Sequence, residues 1–258
     1  MSLIHATAII DPRAEIADGV EIGPYSIIGA DVVIGADTWV GPHVVISGPT
    51  RIGQRNRIYQ FASVGADCQD KKYRGEPTRL EIGDDNVIRE SCSLHRGTIQ
   101  DNSRPKTGSR NLFMVNSHIA HDVIVGDDNI IANNAGIAGH VVIGDSVIIG
   151  GNSGIHQFCR IGSYAMLGGG TTLFKDVPAY VMASGNPAIP RGMNFEGMKR
   201  KGWSSETINA LRKAYKAVYR DGLTLEEAYA PLAELAAKTP EVQLFIDTLR
   251  ASTRGIIR

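Results

Sequence analysis

Across residues 113–173 a hydrophobic residue returns at every sixth position: Phe113, Ile119, Val125, Ile131, Ile137, Ile143, Ile149, Ile155, Ile161, Leu167 and Leu173. An amphipathic helix repeats near 3.6 residues and an alternating strand at 2, so neither produces a strict six. Hexads of this kind build a β-helix, in which one short strand and one turn are copied along an axis. The same ladder opens the chain, unbroken from Ile4 through Ile10, Ile16 and Ile22 to Ile58 and Val64. The residue after a marker is often glycine (Gly23, Gly29, Gly35, Gly41, Gly53, Gly65). A turn with unusual backbone angles is the expectation there. Two before a marker the residue is small, as at Ala14, Ser26 and Ala62. Marker and small residue should both face inward, with the residue between them facing out.

Two stretches interrupt the ladder. Residues 65–81 lack markers at 70 and 76, yet Ile82, Ile88 and Leu94 resume the original phase, so 65–81 reads as an ejected loop. Such a loop is either a solvated excursion or a carrier of function. A second polar break, 97–110, is followed by a ladder displaced by one residue. Hexads end near the turn signature GNPAIP at 185–190, and helix signals take over. Ser204 or Ser205 caps a helix reaching about Tyr219, Thr224 and Glu227 form a capping box, and Thr239-Pro240 starts a third helix. The expected organisation is a β-helix over 1–185, with insertions at 65–81 and 97–110, and a helical domain over 186–258 that can cap one end of it.

If three hexads make one coil, residues eighteen apart stack on adjacent coils at strand spacing, about 4.8 Å. The turns Ala120-His121-Asp122, Ala138-Gly139-His140 and His156-Gln157-Phe158 then share one edge, with His118 facing outward beside them. A lone outward histidine is ordinary surface, but several on one edge are hard to ascribe to packing. His121 is the candidate general base, because an imidazole titrates near the working pH. Asp122 stands ready to orient it, and Gly139, stacked over His121, leaves its N–H open to a carbonyl oxygen. Cys92 and Cys159 lie two before a marker, hence inward, and are small core residues.

Composition narrows the class. Lys and Arg total 27 against 27 Asp and Glu, so no net field favours nucleic acid or an anionic membrane. Three cysteines in no zinc-binding spacing suggest reduced thiols. Neither a signal peptide nor a run of about 18 apolar residues is seen, and a soluble cytoplasmic protein is the expectation. The basic run from Arg191 to Lys213 is either a solvated helix face or a surface for phosphates or an acidic protein.

Several motifs go further: IYQFASVG at 58–65, GEPTRLEIG at 75–83, HRGT at 95–98, HIAHD at 118–122, IAGH at 137–140, HQFC at 156–159, NFEGMKRKG at 194–202 and the terminal STRGIIR. Together they resemble the UDP-N-acetylglucosamine acyltransferases of lipid A biosynthesis, over essentially the whole chain. The resemblance implies a left-handed parallel β-helix of triangular section, a C-terminal helical domain and a homotrimer with active sites between subunits. It implies transfer of a 3-hydroxyacyl group from the phosphopantetheine arm of acyl carrier protein to the 3-hydroxyl of UDP-N-acetylglucosamine, with no metal or other cofactor and no acyl-enzyme. His121 would be the base, Asp122 its partner and Gly139 the oxyanion donor. Asp70, Lys72, His95, His118, His140, His156 and Gln157 would contact sugar and acyl groups, and Asn194, Glu196 and Arg200 the nucleotide. A second arginine common after Arg200 is Lys201 here, which keeps the charge without the bidentate fork. Gly169 would leave the acyl groove long, for a chain of about 12 to 14 carbons by that resemblance and not by any spacing.

Three other readings compete. A related N-acyltransferase of the same pathway would carry a domain ahead of its ladder, whereas markers here start at Ile4. A hexapeptide metalloenzyme would use His118, His121 and His140 as zinc ligands. An ice-binding solenoid would show threonine ladders, and none appear.

Overall fold

The computed structural model of the chain describes residues 3–99 and 105–258. Among these residues, twenty-eight short strands form three sheets of 11, 9 and 8 strands, parallel but for the last pair of the first, as the three faces of a prism, with four helices at the end of the chain. Ile119 pairs with Ile137, and Ile137 with Ile155, so the coil is eighteen residues long as the three-hexad reading requires. Markers point inward: Ile28, Ile46, Phe113, Ile131 and Ile149 are at most 1% exposed. Burying each such side chain contributes about 1.5–3 kcal/mol, so the ladder of markers is the core.

The turns follow one rule that the glycines had obscured. Among the described residues, eighteen of the nineteen non-glycine residues with positive φ, including Asp122, Asn134 and His140, sit three places after an inward marker, and the last, Tyr180, sits three after the buried Val177. Gly65, with φ 74°, has the unusual backbone angle expected of it, but the other glycines at the place after a marker have another cause, which corrects the dihedral explanation for them. Gly23, Gly35 and Gly126 do not have positive φ; instead, a Cβ on each would stand within 2.8 Å of backbone atoms of the next coil. Close approach between coils, not conformational freedom, excludes a side chain there.

The interruptions are resolved by strand register. Arg57 pairs with Val87, and Val87 with Leu112, separations of 30 and 25 residues in place of 18. One coil therefore carries twelve extra residues and the next carries seven, and seven is one more than a hexad, which is the phase slip. The break expected over 97–110 is shorter than that. Lys106–Thr107 is a strand on the third sheet, and Thr107, 2% exposed, is an inward marker six before Phe113. A hydrophobic pattern cannot see a threonine marker. Residues 100–104 of that break, and Met1 and Ser2, lie outside the described residues.

Past the ladder, Val181–Ser184 and Ile189–Met193 pair antiparallel on the first sheet, so the stretch assigned to a helical domain begins with a strand. The helices are α1 (Phe195–Arg200), α2 (Ser205–Tyr219), α3 (Leu225–Ala236) and α4 (Glu241–Arg250). Ser204 caps α2, and Thr224 with Glu227 closes the capping box of α3. Pro240 is the residue just before α4, one place earlier than its expected role as first helical residue. The helices close the C-terminal end of the prism: the Tyr180 hydroxyl donates to the Glu241 carbonyl at 2.9 Å and the Ala179 N–H to Thr248 Oγ1 at 3.0 Å. Leu3 and Ile9 at the other end stay 70% and 63% exposed. Among the described residues, no helix is long and apolar enough to cross a membrane.

Candidate active site

The corner between the second and third sheets brings the expected turns together. Register pairs His118 with Gly136 and Gly136 with Gly154, which places Gly139 over His121 and His140 over Asp122. Asp122 takes the left-handed position, φ 59°, which aspartate tolerates better than most residues. Its side chain is fully buried and accepts from His121 Nδ1 at 2.9 Å. A carboxylate only accepts, so Nδ1 carries the hydrogen and Nε2 is left with its lone pair. Burial pushes the Asp122 carboxyl up, but the hydrogen bonds from His121 and Thr98 outweigh it and hold the group below its ordinary value.

Thr98 was not anticipated. Its N–H reaches both Asp122 oxygens, at 2.9 and 3.0 Å, and its hydroxyl donates to Oδ2 at 2.8 Å. Ser93 was also missed; its Oγ lies 2.7 Å from His118 Nδ1. The HRGT motif was the available signal for Thr98, but a break in the ladder offers no register from which to project a contact.

Beside the dyad lies a cleft of about 660 Å³, lined among others by Gln69, Asp70, His95, His118, His121, Gly139, His156, Gln157 and Phe174. Its floor is the outward row of the second sheet, where Gly136 and Gly154 leave space open, with nothing within 4 Å of an added Cβ. Gly139 is different: a Cβ there would stand 2.5 Å from His121 Cε1 and 2.6 Å from Nε2, so only glycine lets the imidazole lie in place. Among the described residues the Gly139 N–H donates to no acceptor. His95 and His118 meet edge to face at 4.9 Å. Burial, then the neighbouring imidazoles His118 and His121, push His95 down to about 4, and burial and His121 also lower His118. Both are neutral near pH 7.

Other expected residues lie elsewhere. Lys72 is exposed on the loop, where its N–H donates to Asp70 Oδ1. His140 stacks on Phe158 at 4.5 Å and meets His121 edge-on at 5.0 Å, just behind the cleft wall. Gly169 sits at the far edge of the second sheet and is not in the lining. Asn194, Glu196 and Arg200 are on or before α1, away from the cleft of their own chain. Asn194 caps α1 and donates to the Tyr164 carbonyl, and Glu196 pairs with Lys199 at 2.9 Å. Lys201 donates to Ser146 Oγ at 2.9 Å.

His121, Asp122 and His140 place one ligand atom each within 4.8 Å of one another. His118, the third zinc ligand of the metalloenzyme reading, stands apart with Ser93 and His95. The Asp122 oxygens already take donors from Thr98 and His121, donors that a cation would displace. That donor set orients an imidazole better than it holds a metal.

A three-hexad prism with a histidine–aspartate dyad in a corner cleft defines a transferase of the hexapeptide-repeat class. Residues 1–36, 31–66, 104–139 and 140–175 match the bacterial transferase hexapeptide model, and 176–257 match the model described as UDP N-acetylglucosamine O-acyltransferase, domain 2. The chain belongs to the UDP-N-acetylglucosamine O-acyltransferase family. It is 62% identical, over the full length of both chains, to the acyl-[acyl-carrier-protein]--UDP-N-acetylglucosamine O-acyltransferase of Psychrobacter sp., and 57% identical to that of Stutzerimonas stutzeri, again over both full lengths. Its fold superposes on LpxA from Acinetobacter baumannii with a TM-score of 0.97 at 64% identity, covering 99% of this chain and 100% of that one. The UDP-N-acetylglucosamine O-acyltransferase of Moraxella catarrhalis gives 0.98 at 58% identity, with 99% of each chain covered.

Proposed function

We propose that this protein is a cytoplasmic acyltransferase of lipid A biosynthesis, moving a 3-hydroxyacyl chain from acyl carrier protein to the 3-hydroxyl of UDP-N-acetylglucosamine. The observation that carries the mechanism is the His121–Asp122 pair opening on the cleft under a glycine with a free N–H. His121 Nε2 takes the proton from the sugar hydroxyl as its oxygen attacks the thioester carbonyl. The Gly139 N–H stabilises the oxyanion. Collapse breaks the C–S bond, and the phosphopantetheine thiolate leaves with the proton that His121 returns. No acyl-enzyme intervenes. Cys92 and Cys159 are buried inside the prism, where desolvation raises both thiols, Cys159 to about 11.

His95 and His118, neutral by burial, hydrogen-bond to substrate without adding charge. His156, Gln157 and the loop residues Asp70 and Lys72 frame the sugar and acyl groups. The acyl chain runs over Gly136 and Gly154 toward Gly169. The nucleotide is met by Asn194, Glu196 and Arg200 of a neighbouring copy in a homotrimer. Supporting that assembly, the outward row of the first sheet is apolar and half-buried on six successive coils, Val87, Leu112, Ile130, Ile148, Met166 and Met182. Such a row is a face for another subunit to cover.

Transfer assays with UDP-N-acetylglucosamine and 3-hydroxyacyl carrier proteins of graded length test the reading. One clear optimum near 12 to 14 carbons is expected, with Gly169→Met shifting it to shorter donors; no turnover by a folded oligomer would overturn it. The zinc reading has one observation in its favour, the His121, Asp122 and His140 cluster. Stoichiometric zinc in purified protein, with activity lost on chelation, would establish that alternative.

A further inference from the structure

The tetrapeptide His95-Arg96-Gly97-Thr98 stands where both interruptions of the ladder reach the cleft. His95 lines the cleft, Thr98 has entered so far as a donor to Asp122, and Arg96 and Gly97 have no part in the chemistry described above. Arg96 is 8% exposed, and the two terminal nitrogens of its guanidinium are occupied inside the protein. Nη1 donates to the carbonyls of Gly48 and Gly65, and Nη2 to the Asp67 carboxylate and, at 3.4 Å, to the Tyr73 hydroxyl. Asp67 and Tyr73 flank Gln69 and Asp70, the loop residues that line the cleft. A planar fork of donors can hold several acceptors at once, and a lysine ammonium cannot copy that geometry.

Gly97 comes next. A Cβ on it would lie 2.5 Å from Asp122 Oδ1 and 2.7 Å from Pro105 Cδ, so the chain passes the carboxylate only without a side chain. Thr98 then gives Asp122 its N–H and its hydroxyl, from 24 residues away in sequence. The second interruption is therefore part of the dyad.

We propose that Thr98 and Arg96 are positioning residues of this site. Thr98 fixes the carboxylate that orients His121, and Arg96 fixes the loop that carries Asp70 to the substrate. The proposal rests on His121 as the base. The two roles separate kinetically. Thr98 acts on proton transfer and therefore on kcat, whereas Arg96 acts on substrate contact and therefore on KM.

The test compares the full-length enzyme with Thr98→Val, Thr98→Ser and Arg96→Lys. The readouts are kcat, the KM for UDP-N-acetylglucosamine, the pH profile of kcat, and the Asp122 titration by carboxyl ¹³C resonance. Loss of one hydrogen bond to an ionised carboxylate should cost Thr98→Val about tenfold in kcat and raise the Asp122 titration by about one unit. Its KM should stay unchanged, the acid limb of its profile should move to higher pH, and Thr98→Ser should restore both. Arg96→Lys should raise KM several-fold and leave the pH profile in place. A folded Thr98→Val with wild-type kcat and wild-type Asp122 titration would overturn the role of Thr98. A fall in kcat at unchanged KM in Arg96→Lys would overturn that of Arg96. Should Thr98→Val not accumulate as folded protein, Thr98→Ala carries the same readouts. The titration needs no turnover, so a mistaken substrate assignment and a mistaken role for Thr98 give different results.

Discussion

Two corners of the prism share a backbone and differ in everything the side chains do. Between the first and second sheets the left-handed position is held by Asn116, Asn134 and Asn152, with φ of 61°, 60° and 57°. Between the second and third sheets it is held by Asp122, His140 and Phe158, at 59°, 62° and 66°. The asparagines form a closed ladder, Asn116 Nδ2 donating to Asn134 Oδ1 at 2.8 Å and Asn134 Nδ2 to Asn152 Oδ1 at 3.2 Å. At the other corner the stacked residues are unlike. Asp122 turns inward to a distant loop, His140 stacks on Phe158, and His121 keeps one nitrogen for the cleft. Identical side chains on successive coils satisfy one another, while unlike ones leave groups free for a substrate.

The largest expected effect tests that contrast directly. His121→Ala should lower acyl transfer by about 10²- to 10⁴-fold, the range of a lost general base, with only a modest fall in melting temperature, because the imidazole lies outside the core and Asp122 keeps its donors from Thr98. Near-full activity would remove the chemical distinction between the corners. Gly139→Ala should follow. Its φ allows alanine, but the new Cβ falls on the His121 ring and must displace it. A displacement near 1 Å costs on the order of 10²-fold in rate. Steady-state kinetics beside a thermal melt would show kcat falling while stability holds. If stability collapses instead, Gly139 serves the coil rather than the base.

How much of this was legible in the chain follows from period. Markers at six left the number of hexads per coil open; once three are taken as one coil, the stacking of His121, Gly139 and Gln157 follows, and strand register bears it out. Where period fails, projection fails with it. Thr107 escaped because a polar marker breaks a hydrophobic count. Helix α1, six residues with Gly197 inside, offers no apolar stripe long enough to register. The bond from Thr98 to Asp122 crosses a break with no register at all. Apart from Gly65, the glycines after the markers are there for a reason other than backbone angles. Sequence shows that a side chain is missing, but not whether backbone angles or a neighbouring coil forbids it.

A smaller effect concerns stability and pH. The folded Asp122 carboxyl is depressed, so its contribution is present above the unfolded value, about 3.9, and is lost as pH falls through the lower folded value. Asp122→Asn removes the ionisable group while keeping the shape. Wild type should be the more stable protein near neutrality, with the gap between the two melting temperatures closing below about pH 4. A gap that stays constant down to pH 2 would mean that the carboxylate contributes nothing as an ion and that the corner is held by packing alone.

The smallest effect belongs to the asparagine corner, and it separates backbone demand from side-chain demand. Asn134→Ala keeps a Cβ in the left-handed region, where an ordinary residue costs about 1–2 kcal/mol, and removes two exposed hydrogen bonds that contribute little in water. Asparagine itself bears part of the left-handed cost, so the net loss should be about 1 kcal/mol. For a chain of this length that is about 2–4 °C in melting temperature. Asn134→Gly removes the same hydrogen bonds and also the Cβ, so it should recover most of that loss. Acyl transfer should be unaffected in both. If Asn134→Gly melts as low as Asn134→Ala, the ladder of amides rather than the turn conformation stabilises this corner. If either variant loses activity as His121→Ala does, the two corners are coupled through the glycine floor of the second sheet and cannot be treated as scaffold on one side and chemistry on the other.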